Sequence, residues 1–360
     1  MGKGIRFFLS ALVILLLSAW LVFRMMQPPE TIPYFGAHLE GFPIDAARLH
    51  NEFAGWAKKP DFIGFFQQWP AKPDLFDESA TLASLESIGA YGAVPVITLE
   101  PMIIDGDREV VIPAQEIIEG TWDEYLTAYA TVLRQFGKPL ILRFAHEMNI
   151  IRYHWGSTPE EYEQSPELYR QMFRHVRQKI HAIAGENIAW MFSPNHQPLT
   201  SLDPPQQSQW NSMRVWFPGR EYVDLLGIDG YNWGELQSGG NNSGKSHWQT
   251  PWDIFASPLE ELRALAADVP LLIGETASIQ PVDKRAEWIE QLLQMAYSRQ
   301  IHGFLWFQVN KERDWRIRPE EADKFYKLRE KADLVEASTW LQEIIARRKP
   351  QPSDSSRAIE

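Results

Sequence analysis

PLILRFAHEMN, residues 139–149, is the stretch on which the fold turns. Its apolar run lacks polar alternation, as a strand covered on both faces does, and it ends abruptly in His146 and Glu147. Outward from it, seven further runs share this form: YFGAH from Tyr34, DFIGFF from Asp61, VPVITLE from Val94, NIAWMFSPN from Asn187, YVDLLGIDGYN from Tyr222, PLLIGETA from Pro270 and IHGFLWFQVN from Ile301. Amphipathic stretches separate them, the pattern of parallel strands covered by helices. The clearest helix lies between the fourth and fifth runs. Ser165 and Pro166 supply its cap and first turn, Gly185 its stop, and Leu168, Met172, Val176, Ile180 and Ile183 its buried stripe. Eight such units predict an α/β fold, a (β/α)8 barrel occupying residues 29–346. A doubly wound open sheet is the alternative, but no G-x-G-x-x-G follows the first strand and no Walker sequence occurs.

The 360 residues carry 35 Lys and Arg against 47 Asp and Glu, a net charge of −12, which repels nucleic-acid phosphates and anionic membrane surfaces. The absence of cysteine excludes disulfide scaffolds, thiolate zinc sites and cysteine nucleophiles. Tryptophan is the unusual component, with 15 residues beside 19 Phe and 11 Tyr. At the N-terminus, Lys3 and Arg6 precede an uncharged run from Phe7 to Phe23 that Arg24 closes. Residues 1–28 are expected to be a signal anchor that crosses the membrane once and places the barrel outside the cytoplasm. Ser18 and Ala19 also permit cleavage as a signal peptide, which would make the protein secreted. Residues 347–360 form a polar tail expected to be disordered.

Catalytic groups of such barrels sit at the carboxyl ends of the strands. Glu147 closes the fourth run and Glu275 the seventh, and a carboxylate placed directly after a buried strand costs several kcal/mol to desolvate. The structural explanation is a salt bridge, with Arg143 as the candidate partner of Glu147. The chemical one is a facing pair, in which one carboxyl protonates a departing sugar oxygen and the other attacks the anomeric carbon or activates water. Glu100 is a rival carboxylate at the end of the third run. A metal-dependent hydrolase would need clustered His and Asp ligands, and neither H-x-H nor H-E-x-x-H occurs.

RFAHEMN followed by YHWG, YVDLLGIDGYN, GET and GFLWFQVN resembles glycoside hydrolase family 26, which is best known for β-mannanases and belongs to the retaining barrel clan. The resemblance runs over Pro33–Glu320, and His-Glu at the end of the fourth strand is its most specific element. It implies a retaining endo-β-glycosidase acting on a polysaccharide by double displacement, with no cofactor or metal. Glu147 would be the acid/base and Glu275 the nucleophile. His146 would bind the sugar beside the cleaved bond, Tyr231 would donate to the nucleophile, Asp229 would support that network, and Trp306 would form the platform under the sugar.

His38, at the end of the first strand, faces the same mouth, and Trp155 is a further candidate contact. Trp233, Trp248 and Trp252 fall on strand-end loops, where packing is the default role. The segment from Asn232 to Phe255 is expected to be a long loop on the functional face. After HEMN the family carries Gly and then an aromatic, whereas here Ile150, Ile151 and Arg152 follow. Arg152 in the cleft would favour a decorated or anionic exopolysaccharide over plain β-mannan. The non-enzymatic alternative is a glycan-binding or exopolysaccharide-biosynthesis accessory protein with a degenerate site.

Overall fold

The computed structural model describes residues 33–150, 152–156, 165–197, 210, 212–235, 247–279, 281–329 and 335–348. In chain order the strands are β1 (Tyr34–Leu39), β2 (Phe62–Gln68), β3 (Val94–Glu100), β4 (Met102–Asp105), β5 (Arg108–Val111), β6 (Leu140–Phe144), β7 (Ile188–Phe192), β8 (Leu225–Leu226), β9 (Asp229–Asn232), β10 (Leu272–Ser278) and β11 (Gly303–Phe307). All but β4 and β5 form one parallel sheet in the order β8-β7-β6-β3-β2-β1-β11-β10-β9. The sheet closes on itself. Leu226 bridges Leu271, Asn195 bridges Asp229, and Gly274 N donates to the Ile228 carbonyl at 2.8 Å. β8 and β9 are therefore two halves of one barrel strand interrupted at Gly227 and Ile228, where the reading of residues 222–232 anticipates a single run. The expected eight-stranded α/β barrel is the result.

The helices are α1 (Ala46–Glu52), α2 (Glu78–Tyr91), α3 (Ala114–Ile118), α4 (Asp123–Phe136), α5 (Pro166–Ala184), α6 (Met213–Trp216), α7 (Pro251–Arg263), α8 (Val282–Ser298), α9 (Pro319–Arg329) and α10 (Ala337–Ala346). The Ser165 side chain caps α5 by accepting from Leu168 N at 3.2 Å, and Pro166 occupies its first turn. Helix α7 begins at Pro251 behind a Thr250–Asp253 capping box, so residues 251–255 are helical rather than part of the expected loop. An antiparallel hairpin, β4–β5, follows the third strand directly and forms one wall of the barrel mouth. Nothing in the hydropathy pattern anticipates it.

Within the barrel, two layers of side chains have opposite character. Toward the amino ends of the strands, Tyr34, Phe62, Val94, Ile141, Leu225, Leu272 and Leu305 form an apolar plug, and α10 seals it with Trp340, Leu341 and Ile344. Toward the carboxyl ends the inward positions become His38, Thr98, Arg143, Ser193 and Asp229, all fully buried. Arg348, just beyond α10, pairs with Asp224 through Nε and Nη2 at 2.9 and 2.6 Å, so residues 347 and 348 are anchored and do not belong to the tail. The remainder of the tail and the Phe7–Phe23 run lie outside the described residues. Among the described residues, no helix is long and apolar enough to cross a membrane.

Candidate active site

A cavity of about 410 Å³ opens at the carboxyl ends of the strands, and Glu147, Glu275, Tyr231, Arg152 and Glu100 all line it. Glu147 does not lie on the strand itself. After Phe144 the backbone turns through two non-glycine residues in the left-handed region, Ala145 (φ 47°) and Glu147 (φ 50°). Such residues cost roughly 1–3 kcal/mol each and persist only where surroundings impose them. Here the neighbouring strands do so: Ala145 N donates to the Leu99 carbonyl at 3.0 Å and Glu147 N to the Ser193 carbonyl at 2.8 Å. The carboxyl then accepts from Asn195 Nδ2 at 2.6 Å. Asn195 is itself fixed by Asn149, which accepts from its backbone N at 2.8 Å and donates to its carbonyl at 2.9 Å.

Glu275 arrives by a different device. Along β10, Ile273 pairs with Phe304 and Thr276 with Trp306, so the strand gains one residue against β11 between them. Simple alternation would send Gly274 inward and Glu275 out toward the helices. The extra residue lets both face the barrel interior, and Glu275 falls in register with the inward-facing Asp229. Gly274 must be glycine, because a Cβ there would lie 2.6 Å from both Asp229 Oδ1 and Ser193 Oγ. The Glu275 carboxylate accepts from Arg143 Nη1 at 2.5 Å through Oε1 and from the Tyr231 hydroxyl at 2.5 Å through Oε2.

Arg143 is thus the partner of Glu275 and, through Nη2, of Asp229; the structure does not support the salt bridge to Glu147. Its Nη1 also donates to Thr98 Oγ1 at 2.9 Å. One cation thus pairs directly with two carboxyls and makes no ion pair with Glu147. Burial, followed by the Glu275 charge, pushes Glu147 up to about 7. Burial also opposes ionisation of Glu275, but Arg143 and the donating Tyr231 outweigh it and hold that carboxyl below its ordinary value. Burial and then Arg143 keep His146 neutral, its pKa well below the usual histidine range.

The other expected contacts are distributed unevenly. Tyr231 and Arg152 reach the cavity wall. His146 and Asp229 are buried behind it, with His146 Nε2 hydrogen-bonded to the Tyr153 hydroxyl at 3.1 Å and 3.9 Å from Glu275 Oε1. Trp155 does not face the cavity. It is buried, donates to the His146 carbonyl at 2.7 Å and stacks on Tyr153 at 4.5 Å, so Tyr153 presents the aromatic surface instead. Trp306 is a correction as well. In register with Ala37 and Thr276 it points outward, packs against Trp288 and Phe325 and donates to the Trp315 carbonyl at 2.8 Å. The next residue, Phe307, faces the cavity with Trp315. His38 is fully buried and does not line the cavity, so it makes no direct contact with a ligand there.

Arg152 reaches the wall already neutralised. Nη1 and Nη2 donate to the two Glu109 oxygens at 2.7 and 2.5 Å, which ties the β4–β5 hairpin to the segment after β6. The guanidinium is therefore engaged by a carboxylate of the hairpin. Glu100 does face the cavity and is buried; it accepts from Gln68 Nε2 at 2.5 Å, and burial pushes it up to about 7. Trp233 lines the cavity half-exposed, whereas Trp248 and Trp252 pack beneath Lys284 and Arg299. Among the described residues, no group of three or more His, Asp or Glu side chains is arranged to hold a metal ion. Sequence reasoning missed Asn195, Ser193, Tyr153 and Phe307; the SPN tripeptide closing the fifth run was the one available signal, for Ser193 and Asn195.

Comparison with known proteins gives a consistent result. Residues 114–244, which include Glu147, Asp229 and Tyr231 but stop short of Glu275, match the model for glycosyl hydrolase family 26. The chain is 28% identical over 316 residues to endoglucanase H of Acetivibrio thermocellus, covering 87% of this chain and 32% of that protein. It is 24% identical over 136 residues to a mannan endo-1,4-beta-mannosidase of Bacillus subtilis, covering 37% and 32%. The chain spans about a third of the length of these curated relatives. Among solved structures, a GH26 β-mannanase from Bacteroides ovatus superposes with a TM-score of 0.57 at 15% identity, over 86% of this chain and 93% of that one. A Bacillus subtilis mannanase gives 0.55 at 17%, over 78% and 81%. The family match over residues 114–244, the curated relatives and the shared barrel fold make the chain similar to glycoside hydrolase family 26.

Proposed function

We propose that the barrel is a retaining endo-β-glycosidase acting on a neutral β-linked polysaccharide of the mannan or glucan type. The observation that carries this reading is a pair of cavity-lining glutamates in opposite electrostatic settings. Glu147 is held by a neutral amide and keeps its proton, while Glu275 is held by a guanidinium and a phenol and stays ionised. In the first step Glu275 attacks the anomeric carbon as Glu147 gives its proton to the departing glycosidic oxygen, forming a glycosyl-enzyme ester. In the second, Glu147, now ionised, takes a proton from water as the water oxygen displaces Glu275 and regenerates both carboxyl groups.

The charges on the wall support a neutral substrate. Arg152 is matched by Glu109, Lys311 lies 3.8 Å from Glu312, and Glu100 adds a further carboxyl facing the space. Sugars offer apolar C–H faces and hydroxyl rims, which suit Tyr153, Phe307, Trp233 and Trp315 as stacking surfaces. The endo mode and the choice of mannan or glucan come from the activities named for the relatives.

The test is hydrolysis of β-mannan, glucomannan and mixed-linkage β-glucan by the full chain, with Glu147→Ala and Glu275→Ala as controls. Internal cleavage that both variants abolish supports the proposal; full activity in either variant overturns it. We further propose that the domain works outside the cytoplasmic membrane, on the strength of Lys3 and Arg6 preceding the Phe7–Phe23 run. Protease accessibility in intact spheroplasts tests this, and a fully protected barrel would contradict it.

A further inference from the structure

The bulge that delivers Glu275 needs an external support. A register slip in a parallel pair interrupts the ladder locally, and at this slip the Gly274 carbonyl oxygen meets a side chain of another strand. His38 reaches it from β1, with Nε2 at 3.0 Å from the Gly274 oxygen. A carbonyl only accepts, so the proton is on Nε2 and Nδ1 is the unprotonated nitrogen. The ring is not a free rotor. It lies flat against Gly64 of β2, where a Cβ would sit 2.1 Å from Nδ1, and it packs on Phe66 at 5.3 Å. Glycine at 64 is what makes room for an imidazole at 38, and the imidazole spans the interior to a peptide group two strands away.

We propose that His38 is a positioning residue for the nucleophile: by donating to Gly274 it fixes the bulge and thereby the approach of the Glu275 carboxylate. The inference rests on the reading of Glu275 as the nucleophile. It assigns His38 a role distinct from sugar contact, since the ring is fully buried and absent from the cavity wall. The neighbouring Arg143 and Tyr231 hold the two carboxylate oxygens, whereas His38 holds the backbone from which that carboxylate projects. A side chain displaced by about 1 Å loses up to about 10²-fold in rate. Loss of the His38 bond is therefore expected in the bond-forming step and not in substrate affinity.

Three variants of the full chain test this: His38→Ala removes the donor, His38→Gln keeps an N–H at similar reach, and Gly64→Ala displaces the ring without altering the histidine. Pre-steady-state release of dinitrophenol from 2,4-dinitrophenyl β-cellobioside and β-mannobioside reads glycosyl-enzyme formation without help from the acid. His38→Ala and Gly64→Ala should each slow that step by about 10²-fold with the dissociation constant read from the concentration dependence of the burst unchanged, and His38→Gln should recover to within about threefold of wild type. Hydrogen–deuterium exchange over residues 270–278 gives a readout independent of turnover; it should rise in the first two variants beyond the change in other strands and return in the third. Equal burst rates in His38→Ala and wild type, or exchange that rises uniformly or not at all, would overturn the proposal. Wild-type protein that turns over neither glycoside would instead count against the glycosidase reading, and exchange would still decide the role of His38.

Discussion

Glu147 and Glu275 stand at the tips of two strands of one barrel, yet the backbone delivers them by different means and the surroundings treat them oppositely. The first is itself the second of two left-handed residues pinned by neighbouring strands; the second projects from a bulge that turns two consecutive residues inward. A neutral amide meets the first carboxyl, and a buried guanidinium with a phenol meets the second. The difference shows how one polar layer can treat identical side chains unequally: Arg143 pairs directly with Asp229 and Glu275 and makes no ion pair with Glu147.

Removing each carboxyl should break the comparison most severely. Glu275→Ala is expected to lower kcat/KM on polysaccharide by more than about 10⁴-fold on every substrate. Glu147→Ala should lose about 10²–10⁴-fold on polysaccharide but far less on dinitrophenyl glycosides, whose leaving group needs no proton. Equal losses of Glu147→Ala on both substrate types would place the acid elsewhere, with Glu100 the next candidate. A smaller effect is expected from Tyr231→Phe, which removes the donor to Oε2 of Glu275. Activity should fall by about 10²-fold, and the acidic limb of the pH profile should move upward as the carboxylate loses a bond that favours its charged form.

The pH profile of wild type sharpens the contrast further. The proposed mechanism requires protonated Glu147, so activity should be lost as pH rises through about 7, and ionised Glu275, so activity should be lost as pH falls below the ordinary glutamate range. Asn195→Ala removes a bond that favours the charged form of Glu147, and its alkaline limb should move to higher pH. An unmoved limb in kcat/KM profiles would detach Asn195 from the acid. The smallest effect belongs to Arg152→Ala. Because Glu109 already neutralises this cation at a partly exposed site, kcat/KM on neutral β-glycans should change by less than about threefold. A loss of tenfold or more would make Arg152 a substrate contact.

Much of this was legible in the sequence, for identifiable reasons. Strands covered on both faces announce themselves by hydropathy alone, and the polar residue that ends each run marks the mouth; hence Glu147, Glu275 and Tyr231 could be placed there. The same double-sided burial hides which residues point inward. FLWF is apolar on both faces, so nothing in its pattern distinguishes Trp306, which faces the helices, from Phe307, which faces the cavity. The bulge at Gly274 and Glu275 reverses the phase of β10 without any compositional mark beyond one glycine. Arg143 shows the limit of reasoning from spacing: four residues before Glu147, it pairs instead with carboxyls 86 and 132 positions away. Its side chain projects from a strand, and neighbours in sequence are not its neighbours across the barrel.

Mass spectrometry of the protein after reaction with 2-deoxy-2-fluoro-β-mannobiosyl fluoride or its cellobiosyl counterpart tests the central claim most directly. Double displacement predicts a stable adduct of one glycosyl unit on the peptide carrying Glu275, absent from Glu275→Ala. An adduct on Glu147 or Glu100, or turnover of the probe with inversion and no adduct, would contradict it.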